Sequence, residues 1–577
     1  MGPFEIRPEV AHQSRVAAYE RGPQDPAARP LRVYAVDPSV ARHDGAIATL
    51  HVPYEPLEPG PVGKLLAVEC RDGDLVLTPV DLENPRILIQ SGLAPSTGNP
   101  AFHQQMVYAV ASNVYATFRT ALGRLIAWRS GDRLLLRPHV AAEGPNAVYD
   151  PDRGEIRFGY RQDPNLQGSG RIFACLSHDI VAHEMTHALI DGLRSRFTIP
   201  TNSDVLALHE GLADLVALFQ RFLHEDVLVA QIRKVGAGME QSQLLTHIAL
   251  EFTGDAPEGP RAAVDPAGKR LEYNEKAEPH LLGNVLVAAV FDAFIQIYRR
   301  KTERYVRLTG PRETAFLPEE LIQILAQEAT QLARQFLNIF IRAIDYCPPV
   351  DVRFGEYLRA LLTADFNLVR DDPWGYREAI IRAFAGRKIF ADGVLSMSED
   401  ELLWKPPSRQ LPRIPRLSFS ELSFNGDPAV PASAAELRQQ AQALGEFLTR
   451  SPEIGEFGLL PPGAEADPPA IHSIRTSRRV GPDGQVLFDL IAEVTQRRMV
   501  VDANTGLEAK FFGGSTIVIG PRGEIRYVIS KSIRRQDRVA RQFLFQHSSR
   551  MWVVKDGRFH LAGSTLPMVH QERDRSH

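Results

Sequence analysis

The five residues His183-Glu184-Met185-Thr186-His187 constrain this chain more than any other feature of it. The surrounding stretch, Phe173 to Leu193, has helical periodicity. On a helix an i, i+4 step advances about 400°, so both imidazoles leave one face about one turn apart and can share a tetrahedral zinc. Glu184 leaves the helix at a different angle. It is placed to take a proton from a water that the metal polarises, and not to bind the metal itself. A random chain of this composition carries roughly 0.03 such motifs, so a second signal is needed to set aside a plain helix with two satisfied histidines.

The second signal lies in another helical stretch, Val205 to Leu223, where Leu208-His209-Glu210-Gly211-Leu212-Ala213-Asp214 puts Glu210 and Asp214 one turn apart on one face. A catalytic zinc takes three protein ligands and keeps a fourth position open, and Glu210 can supply the third. Asp214 can accept the other ring N–H of a ligating histidine and so fix its tautomer. A solvated acidic face fits poorly here, because Leu208, Leu212, Leu215 and Val216 surround the two carboxylates.

With these two helices the sequence resembles the thermolysin-like metallopeptidases, the gluzincins. Asn146-Ala147-Val148-Tyr149 followed by Phe158-Gly159-Tyr160 is similar to the family's substrate-binding edge strand. The resemblance implies that the Asn146 side chain and the Ala147 carbonyl hold the main chain of an extended peptide, by strand addition. Asp179 and Asp191 stand where the family has aspartates flanking the histidines, and Asp191 would brace the ligands from behind. His280, after Pro279, resembles the histidine that stabilises the oxyanion, and Arg261 the arginine that binds a substrate carbonyl. The likeness runs from about residue 95 to 300 or somewhat beyond. It has departures: no tyrosine lies between His187 and Glu210 to assist His280. His209 replaces the family's asparagine, standing behind the ligands or competing with them, and Arg221 replaces a calcium-binding carboxylate, so Ca²⁺ is not expected. Other zinc-peptidase patterns fit less well, since a metzincin would need Gly at Ile190 and His at Leu193.

Charge divides the chain. From Ile471 onward there are 18 Lys and Arg against 10 Asp and Glu, a surplus of +8, which leaves −12 on the first 470 residues of a chain whose net charge is −4. Between these parts, residues 406–470 are rich in Pro and Ala and read as a linker region with one short helix, Ala434 to Thr449. Before it, residues 1–172 form a strand-rich part, with β-branched runs such as Leu31 to Val36 and Arg86 to Gln90, and residues 173–405 a helical zinc-binding part. After it, strand-like alternation and the Gly520-Pro521-Arg522-Gly523 turn predict a small basic α+β domain, 471–577, folding as a separate unit. The expected fold is α+β throughout: a thermolysin-like catalytic unit with a zinc cleft between its two halves, plus that domain.

The longest apolar runs, such as Val285 to Phe291, are far shorter than the roughly 18 residues of a membrane span, and Met1 to Val10 has no signal-peptide pattern. Three widely spaced cysteines, Cys70, Cys175 and Cys347, favour reduced thiols and a cytoplasmic setting. The reading that results is a zinc endopeptidase acting on peptide or protein substrates, with His183, His187 and Glu210 as ligands of one Zn²⁺, Glu184 as general base and His280 at the oxyanion. The rival is a non-catalytic regulatory or scaffold protein working through its basic C-terminal domain. There Lys531, Arg534, Arg535, Arg538 and Arg541 could meet a regulatory partner; nucleic acid and membrane are not expected. Glu184 between the histidines favours the enzyme, since a structural zinc needs no base.

Overall fold

The computed structural model describes residues 2–38, 46–72, 75–144, 146–162, 170–248, 262–265, 270–308, 317–422, 432–461, 463, 465–480 and 485–575. Strand β1 (Glu5–Ile6) runs parallel to a strand that begins at Ala470, so residues near the start of the chain join a sheet built mainly from the part after residue 470. β2 (Ala28–Tyr34) and β3 (Ile47–Pro53) form an antiparallel ribbon whose alternation buries Leu31, Val33, Leu50 and Val52. Arg86 to Gln90, expected to be extended, begins inside a short helix, Pro85–Leu88. Asn84 accepts the Arg86 amide and Pro85 supplies a fixed first helical residue, and this local start signal outweighs the β-branched run.

β4 (Leu66–Val68) belongs to a four-stranded sheet on which α1 (Pro100–Leu122) packs. The other strands are β5 (Leu134–Arg137), β6 (Ala147–Asp150) and β7 (Glu155–Phe158), in the order β4-β5-β7-β6. β6 is therefore an edge strand, joined to β7 by the Pro151–Gly154 turn, with Gly154 at φ 65.

The helical half holds α2 (His178–Leu193), α3 (Ser203–Arg221), α4 (Pro279–Leu308), α5 (Glu319–Ala343), α6 (Phe354–Leu368) and α7 (Tyr376–Gly386). α2 starts later than its periodicity suggests, because residues 174–176 form a 3₁₀ turn and Ser177 caps the helix. α4 is long and apolar enough to cross a membrane by composition, but 78% of its most apolar window is buried within the protein. It is a core helix, packed between α3 and α7.

The C-terminal part is a sheet with two covered faces. α8 (Ala434–Arg450) precedes β8 (Ala470–Val480), β9 (Val486–Val501), β10 (Glu508–Ile519) and β11 (Ile525–Lys531). Then follow α9 (Gln536–Ser548), β12 (Trp552–Lys555), β13 (Arg558–Leu561) and α10 (Thr565–Arg575). The strand order is β1-β8-β9-β10-β13-β12, with β11 beside β10. Runs such as Leu490-Ile491-Ala492 put apolar side chains on both faces, and such strands need two covers. Ile491, Val518, Tyr527 and Ile529 join the main core of the helical half, while Ile474, Leu490 and Ile517 pack under Leu437, Leu444 and Leu448 of α8. Residues 406–470 thus include the helix that roofs this sheet, and the part from 471 onward shares its core with the rest of the molecule instead of standing apart.

Opposite charges meet across that contact. Lys531 pairs with Glu356 at 2.6 Å and Arg538 with Asp351 at 2.8 Å, while Arg541 reaches Asp392 at 3.2 Å. Arg475 donates to the Leu193 carbonyl at the end of α2, and the neighbouring Arg194 pairs with Glu493 at 2.8 Å. The helix that carries the histidine motif is therefore tied at its C-terminal end to the C-terminal sheet.

Candidate metal centre

α2 and α3 pack against each other and bring their polar faces together in the buried interior. His183 Nε2 and His187 Nε2 stand 3.0 Å apart. Glu210 Oε2 is 3.3 Å from His183 Nε2, and Glu210 Oε1 is 3.5 Å from His187 Nε2. Ligand atoms held about 2.0–2.1 Å from a tetrahedral zinc stand about 3.3 Å from one another, so the three separations match one coordination sphere.

The hydrogen bonding agrees with the spacing. His183 Nδ1 lies 2.8 Å from Asp214 Oδ1, so the ring gives its proton to that carboxylate and turns a bare Nε2 inward. His187 Nδ1 meets His209 Nδ1 at 2.7 Å, which leaves its Nε2 facing the same point. Both oxygens of Glu210 are buried without a hydrogen-bond partner among the described residues. Burial holds the His187 imidazole well below its usual value, hence neutral, as a metal ligand must be. Burial alone would raise the Glu210 carboxyl, but the neighbouring imidazoles of His280, His187 and His570 hold it well below the usual carboxylate range. The donor set fits a divalent metal of zinc type.

Glu184 is held from the edge strand. Its Oε2 accepts the Tyr149 amide of β6 at 2.8 Å. The Tyr149 hydroxyl donates to Asp191 Oδ2 at 3.0 Å, and Arg129 donates to the other oxygen of Asp191 at 2.9 Å. Asp191 therefore braces Tyr149 and the strand behind Glu184, and its partners are not the ligand histidines. The ring behind His187 is His209.

His280 enters at the first turn of α4. Its Nε2 is 3.3 Å from Glu210 Oε2 and its Nδ1 is 3.3 Å from Glu278 Oε2, so one nitrogen faces the centre and the other an anchoring carboxylate. Two glycines permit this approach. A Cβ on Gly283 would lie 3.1 Å from the Ala207 carbonyl and 3.3 Å from Glu210 Cβ, and one on Gly211 would lie 3.1 Å from the Gly283 carbonyl.

Asn146 and Ala147 begin the edge strand as expected, but the Asn146 side chain is already engaged: Nδ2 donates to the His570 carbonyl at 3.0 Å. Arg261 lies outside the described residues. Arg221 donates to Asp179 and to the carbonyls of Leu244 and His247, so a guanidinium is the cation held beside Asp179. Sequence reasoning passed over Glu278 and, above all, His570. Its ring packs beside those of His183, His187 and His280, and it groups with His183, Glu184 and His187 within 4.8 Å. A lone histidine near the end of the chain has no spacing that relates it to the motif nearly 400 residues earlier, roughly judged by any pattern rule.

No family model matches the chain, and no curated protein matches it. Among solved structures, the precursor of protealysin, a metalloproteinase from Serratia proteamaculans, is similar at 15% identity and a TM-score of 0.33, over 58% of this chain and 90% of its own.

Proposed function

We propose that the protein is a zinc-dependent endopeptidase. The observation that carries the reading is the convergence of His183 Nε2, His187 Nε2 and the two unpartnered oxygens of Glu210 on one buried point, with the Glu184 carboxylate beside it. Zinc bound there would supply a Lewis acid that polarises a carbonyl and acidifies water. Glu184, steadied by the Tyr149 amide, accepts the proton of the attacking water and returns it to the leaving amine. His280 Nε2 donates to the oxygen that gains charge as the carbonyl is attacked. Asn146 and the edge strand β6 would hold the substrate main chain in an extended form, which suits an enzyme that acts on many side chains. The basic run on which the scaffold reading depends is largely engaged by Glu356, Asp351, Asp537 and Asp392 of the same chain, which favours the enzyme.

The test separates ligand from base, in a chain that also carries His570→Ala, since that ring lies among the candidate ligands. Glu210→Ala should lose zinc by elemental analysis. Glu184→Gln should keep one zinc and lose hydrolysis of a fluorogenic peptide by about 10²-fold or more. Full activity in Glu184→Gln would refute the mechanism.

A further inference from the structure

The last described helix returns to the metal centre from the far end of the chain. α10 buries Leu566, Val569 and His570 on one face at i, i+3 and i+4, and it packs against the edge strand β6. Its start is pinned to the loop after α2: Thr565 Oγ1 donates to the Thr198 carbonyl at 2.6 Å, and the nearby Trp552 Nε1 to the Pro200 carbonyl at 2.9 Å.

Resting on the peptidase reading of this site, we propose that His570 is a fourth protein ligand of the zinc and that α10 occupies the place of the substrate, so that the chain is latent while this segment is docked. Three contacts at three different groups carry this. His570 Nε2 lies 3.5 Å from Glu210 Oε1 and is buried with no hydrogen-bond partner among the described residues, as a ligand nitrogen would be. His570 Nδ1 lies 3.5 Å from Glu184 Oε1, which engages the group that must accept the proton of water. Asn146, the side chain placed to hold a substrate main chain, is bonded to the main-chain carbonyl of His570 itself.

A catalytic role for His570 would leave room beside it for a peptide. Here its own backbone takes the Asn146 bond and its helix lies on the edge to which a peptide would add. Ala562 and Gly563, exposed between β13 and α10, form a tether, and among the described side chains of the helix Leu566 and Val569 are its main apolar anchors in the core. Cutting or displacing that tether frees the fourth coordination position and the Asn146 side chain together.

The full chain and its His570→Ala variant are loaded with Co²⁺, whose visible absorption and X-ray absorption report the ligands and the access of a small anion. The variant should show one imidazole fewer, bind azide about tenfold or more tightly than the full chain, and hydrolyse a short fluorogenic peptide faster by a similar factor, because the open form no longer competes with a docked one. A second protein carries a specific endoprotease site at Ala562-Gly563 and is cut only after folding. Cutting should give the same gain, and a synthetic peptide of residues 564–577 should reverse it. Equal imidazole counts and equal azide affinity in both chains, or a fall in hydrolysis on removing His570, would overturn the proposal. The two readings fail separately: azide access gained without peptide cleavage keeps the docked ligand and sinks the peptidase, whereas equal cleavage with equal azide affinity keeps the peptidase and sinks the docked ligand.

Discussion

The two candidate ligand histidines on α2, His183 and His187, are braced by different chemistry. His183 donates to a carboxylate, Asp214, whereas His187 leans on the His209 ring, whose value burial lowers to about 4 and which is therefore neutral. Glu184, Glu210 and Asp214 already place carboxylates in this buried pocket, and a further one behind His187 would add charge that low-dielectric surroundings penalise. A neutral imidazole fixes the ring without that cost. His280 is argued at the same scale. It reaches the centre through one nitrogen and is anchored through the other by Glu278, so His280→Ala, made in the His570→Ala chain, should lower kcat for peptide hydrolysis by about 10² to 10³ and leave zinc content unchanged. Paired zinc analysis and steady-state kinetics measure both; an unchanged kcat would reduce the residue to a polar group at the start of α4.

At the scale of elements, the centre depends on how closely α3 and α4 approach. Gly211 and Gly283 face each other across that contact, and a methyl group on Gly283 would press on the Ala207 carbonyl, the Gly211 amide and Glu210 Cβ, all at 3.1 to 3.3 Å. Backbone of two packed helices yields by small shifts, at a cost of about 1–3 kcal/mol for overpacking. Gly283→Ala should therefore lower the unfolding free energy by about that amount in urea titrations. It should also weaken zinc binding in competition with a chelator, because the same shift moves Glu210. A variant with unaltered stability and affinity would show that the helices have slack. α2, by contrast, is held at both ends, by the Ser177 cap and by Arg475 on the Leu193 carbonyl.

At the scale of the whole molecule, buried ion pairs fasten the C-terminal sheet to the helical half. Asp351 is central: Arg538 pairs with it at 2.8 Å, Lys531 approaches it at 3.9 Å, and Thr201 and Asn202 donate to it. Burial alone would raise its carboxyl, but Lys531 and Arg538 hold it well below the ordinary range. A lowered folded value means that its stabilisation is complete above about pH 4, the unfolded value, and is lost as pH falls through the folded one. Asp351→Asn suits the test, since the residue has φ 54 and asparagine tolerates that conformation. The substitution leaves Arg538 buried without its partner and should cost about 3 kcal/mol at pH 7. The gap between variant and parent should then shrink as the pH of urea unfolding is lowered below about 4. A gap independent of pH would mean that charge is not what joins the two parts.

The sequence by itself determined which residues are candidate metal ligands and the helices that bear them. His183, Glu184 and His187 on one segment, and Glu210 and Asp214 on another, are related by helical spacing, a property local enough to read from a chain. The α+β character and the helices near 173–193, 205–223 and 434–449 were legible for the same reason, since hydrophobic period is a property of about ten neighbouring residues. Exceptions such as Pro85–Leu88 occur where a cap outweighs a short run. Only the tertiary structure decided that His209 would stand behind His187, that Asp191 would serve Tyr149, that the C-terminal sheet would share the main core, and that His570 would lie at the centre. Each of these pairs residues distant in the chain, or depends on which of several polar groups a buried side chain meets, and no periodicity records such meetings. They follow from how packed elements close around apolar surface, which places polar groups beside one another as a consequence of the whole fold.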